Sequence, residues 1–95
     1  MKATYVSLIT FTDQGVRAIT QSPKRAAAFR KRVKAAGVKV LSQLWTCGSS
    51  DGILILEGDE TKILYVLAQL TAAGNVRTKT LRAFDAAAFA NITGS

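Results

Sequence analysis

Residues 4–11 alternate between two kinds of position. Tyr5, Ser7, Ile9 and Phe11 share one side while Val6, Leu8 and Thr10 share the other, and a period of two in a β-branched and aromatic stretch predicts a strand. Thr12-Asp13-Gln14-Gly15 interrupts it with turn chemistry, and residues 16–20 are expected to form a short helical turn. Ser22-Pro23 reads as a helix start: the hydroxyl caps free backbone N–H groups, and proline at the first helical position has no N–H to lose. The helix is expected to run to Ala36 and stop at Gly37. Its apolar stripe, Ala26, Phe29, Val33 and Ala36, is only about 80° wide, with Arg25 and Arg30 on the flanks. A helix with so narrow a stripe rests on a core without being engulfed by it.

A second strand is expected over 38–47, with Val38, Val40, Ser42, Leu44 and Thr46 on one face and Lys39, Leu41, Gln43, Trp45 and Cys47 on the other. Gly48-Ser49-Ser50-Asp51-Gly52 supplies a hairpin connection, and Ile53-Leu54-Ile55-Leu56 follows as a third strand with apolar residues on both faces. Asp59 or Glu60 opens a second helix ending at Gly74, in which Ile63, Leu64, Val66, Leu67, Ala68 and Leu70 spread over roughly 200°. Residues 75–84 alternate Val76, Thr78, Thr80, Arg82 and Phe84 with Arg77, Lys79, Leu81 and Ala83, which predicts a fourth strand. Asp85 caps a short terminal helix whose Phe89 is expected to dock back on the body.

The order β-α-β-β-α-β, with a central hairpin and helical crossovers, is the ferredoxin-like α+β pattern: a four-stranded antiparallel sheet with two helices on one face. The other face is then bare. Ile9, Phe11, Leu41 and Trp45 are more apolar surface than two small helices cover, and exposing it is unusual for a monomer. The expectation is a second copy packed sheet against sheet, as a two-fold dimer resembling a barrel or a larger homo-oligomer.

Composition narrows the chemistry. The 95 residues suit a single domain, 1–95 with an ordered core of about 3–90, whose small core gains from oligomerisation. The absence of histidine excludes Ser-His-Asp and Cys-His nucleophile systems and imidazole ligands, and Cys47 alone makes neither a disulfide nor a thiolate cage. No metal site and no cofactor motif is expected. Cys47 reads as a buried, inert thiol. The first ten residues lack a signal-peptide core, and the longest strongly apolar run elsewhere, 53–56, is far short of a membrane span, so the expected setting is the cytoplasm with no membrane partner. Asn91-Ile92-Thr93 is then a chance match to a glycosylation sequon in a frayed tail.

The formal charge of +7 is local. Eight bases and no acid lie between positions 14 and 50, namely Arg17, Lys24, Arg25, Arg30, Lys31, Arg32, Lys34 and Lys39, while five bases and six acids make up the rest. Six of the eight belong to the first long helix. Its basic side reads as a solvated face with snorkelling stems or, alternatively, as a non-specific phosphate contact. Nucleic acid is disfavoured as the main partner: the third strand has neither the aromatics nor the bases of an RNA-recognition module.

Several segments carry a resemblance covering nearly the whole chain: Phe11-Thr12-Asp13-Gln14-Gly15-Val16-Arg17, Ser22-Pro23-Lys24-Arg25, Trp45-Thr46-Cys47-Gly48, and above all residues 74–84, Gly-Asn-Val-Arg-Thr-Lys-Thr-Leu-Arg-Ala-Phe. On these the sequence resembles the GYD domain family of small bacterial and archaeal proteins. The family signature departs here at Gly48-Ser49-Ser50-Asp51, where Ser50 stands in place of the tyrosine, and at Glu57-Gly58-Asp59-Glu60 in place of Glu-Ala-Pro-Asp. The resemblance implies a ferredoxin-like α+β fold and oligomers, and supplies no substrate.

Candidate ligand-binding residues are Thr12, Asp13, Gln14, Arg17, Asp51, Arg77 and Thr78. Strand-end loops bring polar groups to the apolar hollow between sheet and helices, where Asp13 or Asp51 would take a proton and Arg17 or Arg77 would hold a small anionic ligand. The structural alternative has Asp13 capping the Val16 turn and Asp51 holding the hairpin's backbone N–H groups. Arg77, Thr78, Thr80 and Arg82 form either a ligand wall or a charged sheet edge, with Glu57 the expected partner of one arginine. Trp45 reads as core or interface. Lys24 and Arg25, beside the free N–H groups at a helix start, are weaker anion-binding candidates. Catalysis is left open between a cleft protein and a non-enzymatic assembly or interaction protein.

Overall fold

The computed structural model describes residues 2–94. β1, Lys2–Phe11, takes the centre of the sheet, pairing antiparallel with β3, Gly52–Asp59, on one side and with β4, Val76–Ala83, on the other. β2, Lys39–Trp45, adds to the free edge of β3, giving the order β2-β3-β1-β4. Two long helices, α2 (Ser22–Ala35) and α3 (Glu60–Ala72), are the crossovers. The result is an α+β fold with a four-stranded antiparallel sheet, consistent with the ferredoxin-like pattern.

Between β1 and α2 the chain makes α1, Asp13–Arg17, and a 3-10 turn, Ile19–Gln21. Thr12, and not Asp13, caps α1: its Oγ1 accepts from the Gly15 N–H at 3.1 Å. The reason is positional, since the extended residue before the helix is the one whose side chain can reach back to those N–H groups. Similarly, Ser22 lies inside α2 and Gln21 is its N-cap residue without a side-chain cap bond. The helix ends close to where its sequence predicts, and Gly37 (φ +79°) takes the left-handed conformation there. Asp59 and Asp85 cap α3 and the terminal helix α4, Ala86–Thr93.

The core lies between the helices and one sheet face. Phe29 and Val33 of α2 and Ile63, Val66 and Leu67 of α3 meet Leu54 and Leu56 of β3, with Val38 beside them. Ser7 is buried on the same face and shares a 2.8 Å hydrogen bond with Thr80, which satisfies both hydroxyls.

β2 departs from strict alternation. The register slips between Val40 and Ser42, so that Val40 pairs with Leu56 while Gln43 and Trp45 pair with Leu54 and Gly52. One unpaired residue in a bulge exchanges the faces of everything beyond it. Val38, Val40, Gln43 and Trp45 therefore share the helix-covered side, and Ser42 and Leu44 the open side, in place of the uninterrupted alternation expected. Ile9 and Phe11 also face the helices. The open face is instead built from Val6 and Leu8 of β1, Leu44 of β2, Ile53 and Ile55 of β3, and Leu81 of β4, which the cross-strand pairing makes contiguous. None of the six is fully buried.

Four further expectations give way. Phe89 does not dock: it is 56% exposed on a helix with no buried residue. The sequon segment belongs to that helix. Cys47 lies beyond the end of β2 and is exposed, because the strand stops at Trp45. Glu57 pairs with Lys2 at 3.2 Å and not with an arginine: it faces the open side, whereas Arg82 faces the helices and bonds backbone carbonyls of Thr4 and Ala83. Among the described residues, no helix is long and apolar enough to cross a membrane.

Candidate functional site

A cavity of about 210 Å³ opens between α2 and the helix-covered face of the sheet. It exists because the narrow apolar stripe of α2 does not fill the space above the ends of β1 and β3 toward Phe11 and Gly52. Phe29 and Leu54 form its inner wall, with Ile9, Phe11 and Leu70 around them and Trp45 at the β2 side. Ser22, Arg25, Phe29 and Arg32 all reach it from α2, and their spacing of three, four and three residues places them on one side of a helix.

Two contacts fix the walls. Trp45 Nε1 donates to Ser22 Oγ at 3.0 Å, joining the end of β2 to the first turn of α2 while the indole stays half-exposed. Arg25 Nη1 donates to the Ala18 carbonyl at 2.8 Å. Asp51 also lines the cavity; its Oδ2 accepts from the Phe11 N–H at 2.8 Å, and its own N–H donates to the Ile9 carbonyl. The carboxylate thus finishes the β1 edge where ladder pairing ends.

The remaining candidates lie elsewhere. Asp13 and Arg17 are exposed on α1 and line neither this cavity nor the other recess described below. Thr12 and Gln14 grip the α3–β4 turn: Thr12 Oγ1 donates to the Gly74 carbonyl at 2.6 Å, and Gln14 Nε2 donates to the Ala73 carbonyl and to Asn75 Oδ1. A second recess, about 360 Å³ and open to solvent, holds Thr12, Arg77 and Thr78 together with Thr71 and Gly74. Lys24 is exposed, as are Arg30, Lys31 and Lys34, which makes this side of α2 a solvated face. Of the sequence candidates, the main cavity brings together Asp51 and Arg25. Phe29, Arg32 and Gln43 join them without having been singled out for it. The stripe running through Ser22, Arg25, Phe29 and Arg32 was the available signal, hidden because Phe29 reads equally well as plain core.

Nearer the start of β1, Tyr5 donates its phenolic hydrogen to Glu60 Oε1, and the Arg82 guanidinium sits 5.7 Å from the Tyr5 ring centroid and 4.6 Å from that of Phe84. The hydrogen bond to Glu60 raises the Tyr5 pKa above its ordinary value, with desolvation and the Glu60 charge acting in the same direction and Arg82 opposing them. The cluster is a structural clamp between the sheet and the start of α3. Among the described residues no group of His, Cys, Asp and Glu is arranged to hold a metal ion.

The fold is shared with proteins of different kinds. The chain superposes on a homoserine dehydrogenase from Thiobacillus denitrificans with a TM-score of 0.58 at 13% identity, over 90% of this chain and 18% of that one. It superposes on an uncharacterized protein from Thermotoga maritima with a TM-score of 0.54 at 17% identity, over 88% and 100%. The C-terminal domain of the MgtC protein from Mycobacterium tuberculosis gives 0.55 at 12% identity, over 87% and 88%. At such identities the likeness is one of fold. This chain spans less than a fifth of the homoserine dehydrogenase. No curated protein matches it in sequence. The model of the GYD domain family matches residues 5–93.

Proposed function

This chain belongs to the GYD domain family, and from that premise we propose that it is a homo-oligomeric binding protein whose ligand is a small molecule held between α2 and the sheet. The cavity carries the reading. Its volume of about 210 Å³ exceeds the roughly 150 Å³ of an apolar cavity known to accept benzene, so it suits a ligand of one ring or a short branched chain. Apolar walls with a few placed polar groups are the common composition of small-molecule sites. Here the placed groups are Arg25 and Asp51. The Ser50 departure lies in the β2–β3 connection beside Asp51, so any ligand role of a tyrosine there falls to other residues in this member. A direct test is titration with toluene, followed through the emission of Trp45, the protein's single tryptophan. Saturable change that disappears in Ala26→Leu, which fills the cavity, supports the reading; no change refutes it.

The open sheet face supports the assembly half of the proposal. Val6, Leu8, Leu44, Ile53, Ile55 and Leu81 form one apolar surface across all four strands, and a contiguous apolar patch is the usual mark of an interaction site. A two-fold partner of the same sequence covers such a face with an identical one. If only assembly operates, the protein is an interaction module with an unused cavity, and the toluene titration separates the two readings. The setting that accords with a reducing compartment is the cytoplasm, which the free, exposed Cys47 tolerates.

A further inference from the structure

Two guanidinium groups, those of Arg25 and Arg32, line the cavity. Arg25 is half-buried, and its Nη1 bond to the Ala18 carbonyl anchors the guanidinium in one orientation. Its Nη2 is shut off from solvent and has no hydrogen-bond partner among the described residues. No ion pair engages it there either. The orphaned N–H groups are thus donors left without an acceptor. Arg32 adds a second positive charge to the lining, its guanidinium 5.9 Å from the Phe29 ring centroid. Asp51 is the carboxylate of the lining, and one of its oxygens already serves the Phe11 N–H. The wall is therefore net positive within a largely apolar surround.

We propose that the ligand is a small apolar monocarboxylic acid, aromatic or branched, whose carboxylate is paired by the positive charge of the Arg25 guanidinium, with Arg32 adding to it, while its ring or chain lies among Phe11, Phe29, Trp45 and Leu54. This rests on the reading of the cavity as a ligand site and adds the chemical class. An acid is selected because two guanidinium groups favour an anion, and because a charge-assisted bond in a poorly solvated site is stronger than one to a neutral acceptor. The cavity volume matches a ligand of one ring or a short branched chain. An apolar amine is excluded by sign.

The experiment compares phenylacetate, its neutral isostere phenylacetamide, and toluene, each titrated into the intact protein at neutral pH with Trp45 emission as the readout. Phenylacetate is expected to bind about tenfold more tightly than phenylacetamide. In Arg25→Met, which keeps an apolar stem, the preference is expected to vanish while toluene still binds. Should that variant fail to fold, the preference in the unaltered protein decides alone. Toluene binding with no preference for the acid overturns the assignment of an acid and leaves the cavity reading standing. No binding by any of the three overturns both.

Discussion

Trp45 Nε1 and Ser22 Oγ lie 3.0 Å apart, and this one bond ties the last residue of β2 to the first turn of α2 across the edge of the cavity. Ser22 is buried and Trp45 half-exposed, so the bond holds an indole at a border between protein and water. Ser22→Ala removes the acceptor while leaving the helix start intact. The expected result is a loss of about 1 kcal/mol of stability by urea unfolding, together with red-shifted Trp45 emission as the ring gains solvent. Unchanged emission would mean that packing alone positions the indole.

Gly15 is buried in α1 where a Cβ would run into the Asn75 carbonyl oxygen. That carbonyl also accepts from the Thr12 N–H at 3.1 Å, so the approach belongs to the clasp made by Thr12 and Gln14 on the α3–β4 turn. Gly15→Ala is expected to cost about 3 kcal/mol, at the upper end of ordinary overpacking, because backbone and not a flexible side-chain end must move. Thermal unfolding measures it. A variant as stable as the parent would show that α1 can leave the turn at no cost.

Ile55 sits in the middle of the open sheet face, between Val6 and Ser42. Ile55→Lys places a charge at the centre of the proposed interface and leaves the helix-covered core untouched. Light scattering at micromolar concentration should find a dimer or larger oligomer for the parent and a monomer for the variant. A monomeric parent would contradict the assembly.

Tyr5 links stability to alkaline pH. Its folded-state pKa is raised, chiefly by its hydrogen bond to Glu60, so the folded chain holds the phenolic proton more tightly than the unfolded chain does. The contribution is fully present below the unfolded value of about 10 and is lost as pH rises through the folded one. In a Tyr65→Phe background, absorbance at 295 nm should show Tyr5 ionising above the ordinary tyrosine value, and Glu60→Gln should bring the midpoint down. An unaltered midpoint would mean that Glu60 does not hold the phenol.

The elements that could be read from sequence are those set by local physics. Alternation in 4–11, the glycines after α2 and α3, and the capping aspartates Asp59 and Asp85 each act within a few residues, and each is found in place. What escaped is long-range. The β2 bulge depends on how β2 meets β3, and an unpaired Leu41 looks like any other residue of an alternating strand. Its consequence is large, since it carries Trp45 to the helix-covered side. Glu57 turned to Lys2 because strand face and register, not charge alone, decide which bases a carboxylate can meet: Arg82 lies on the other face, and Arg77 shares the face but sits at its far end. Arg25 and Asp51 were each legible as polar groups near loop ends. Their sharing of one cavity was not, because β1, α2 and the β2–β3 connection meet there only in three dimensions.

The most direct test of the central claim is the crystal structure of the protein soaked in bromobenzene, with the bromine located by its anomalous scattering. The proposal predicts a bromine site enclosed by Phe29, Leu54 and Trp45, on the helix-covered side of the sheet. Bromine found only on the open sheet face, or at no ordered position, would contradict it.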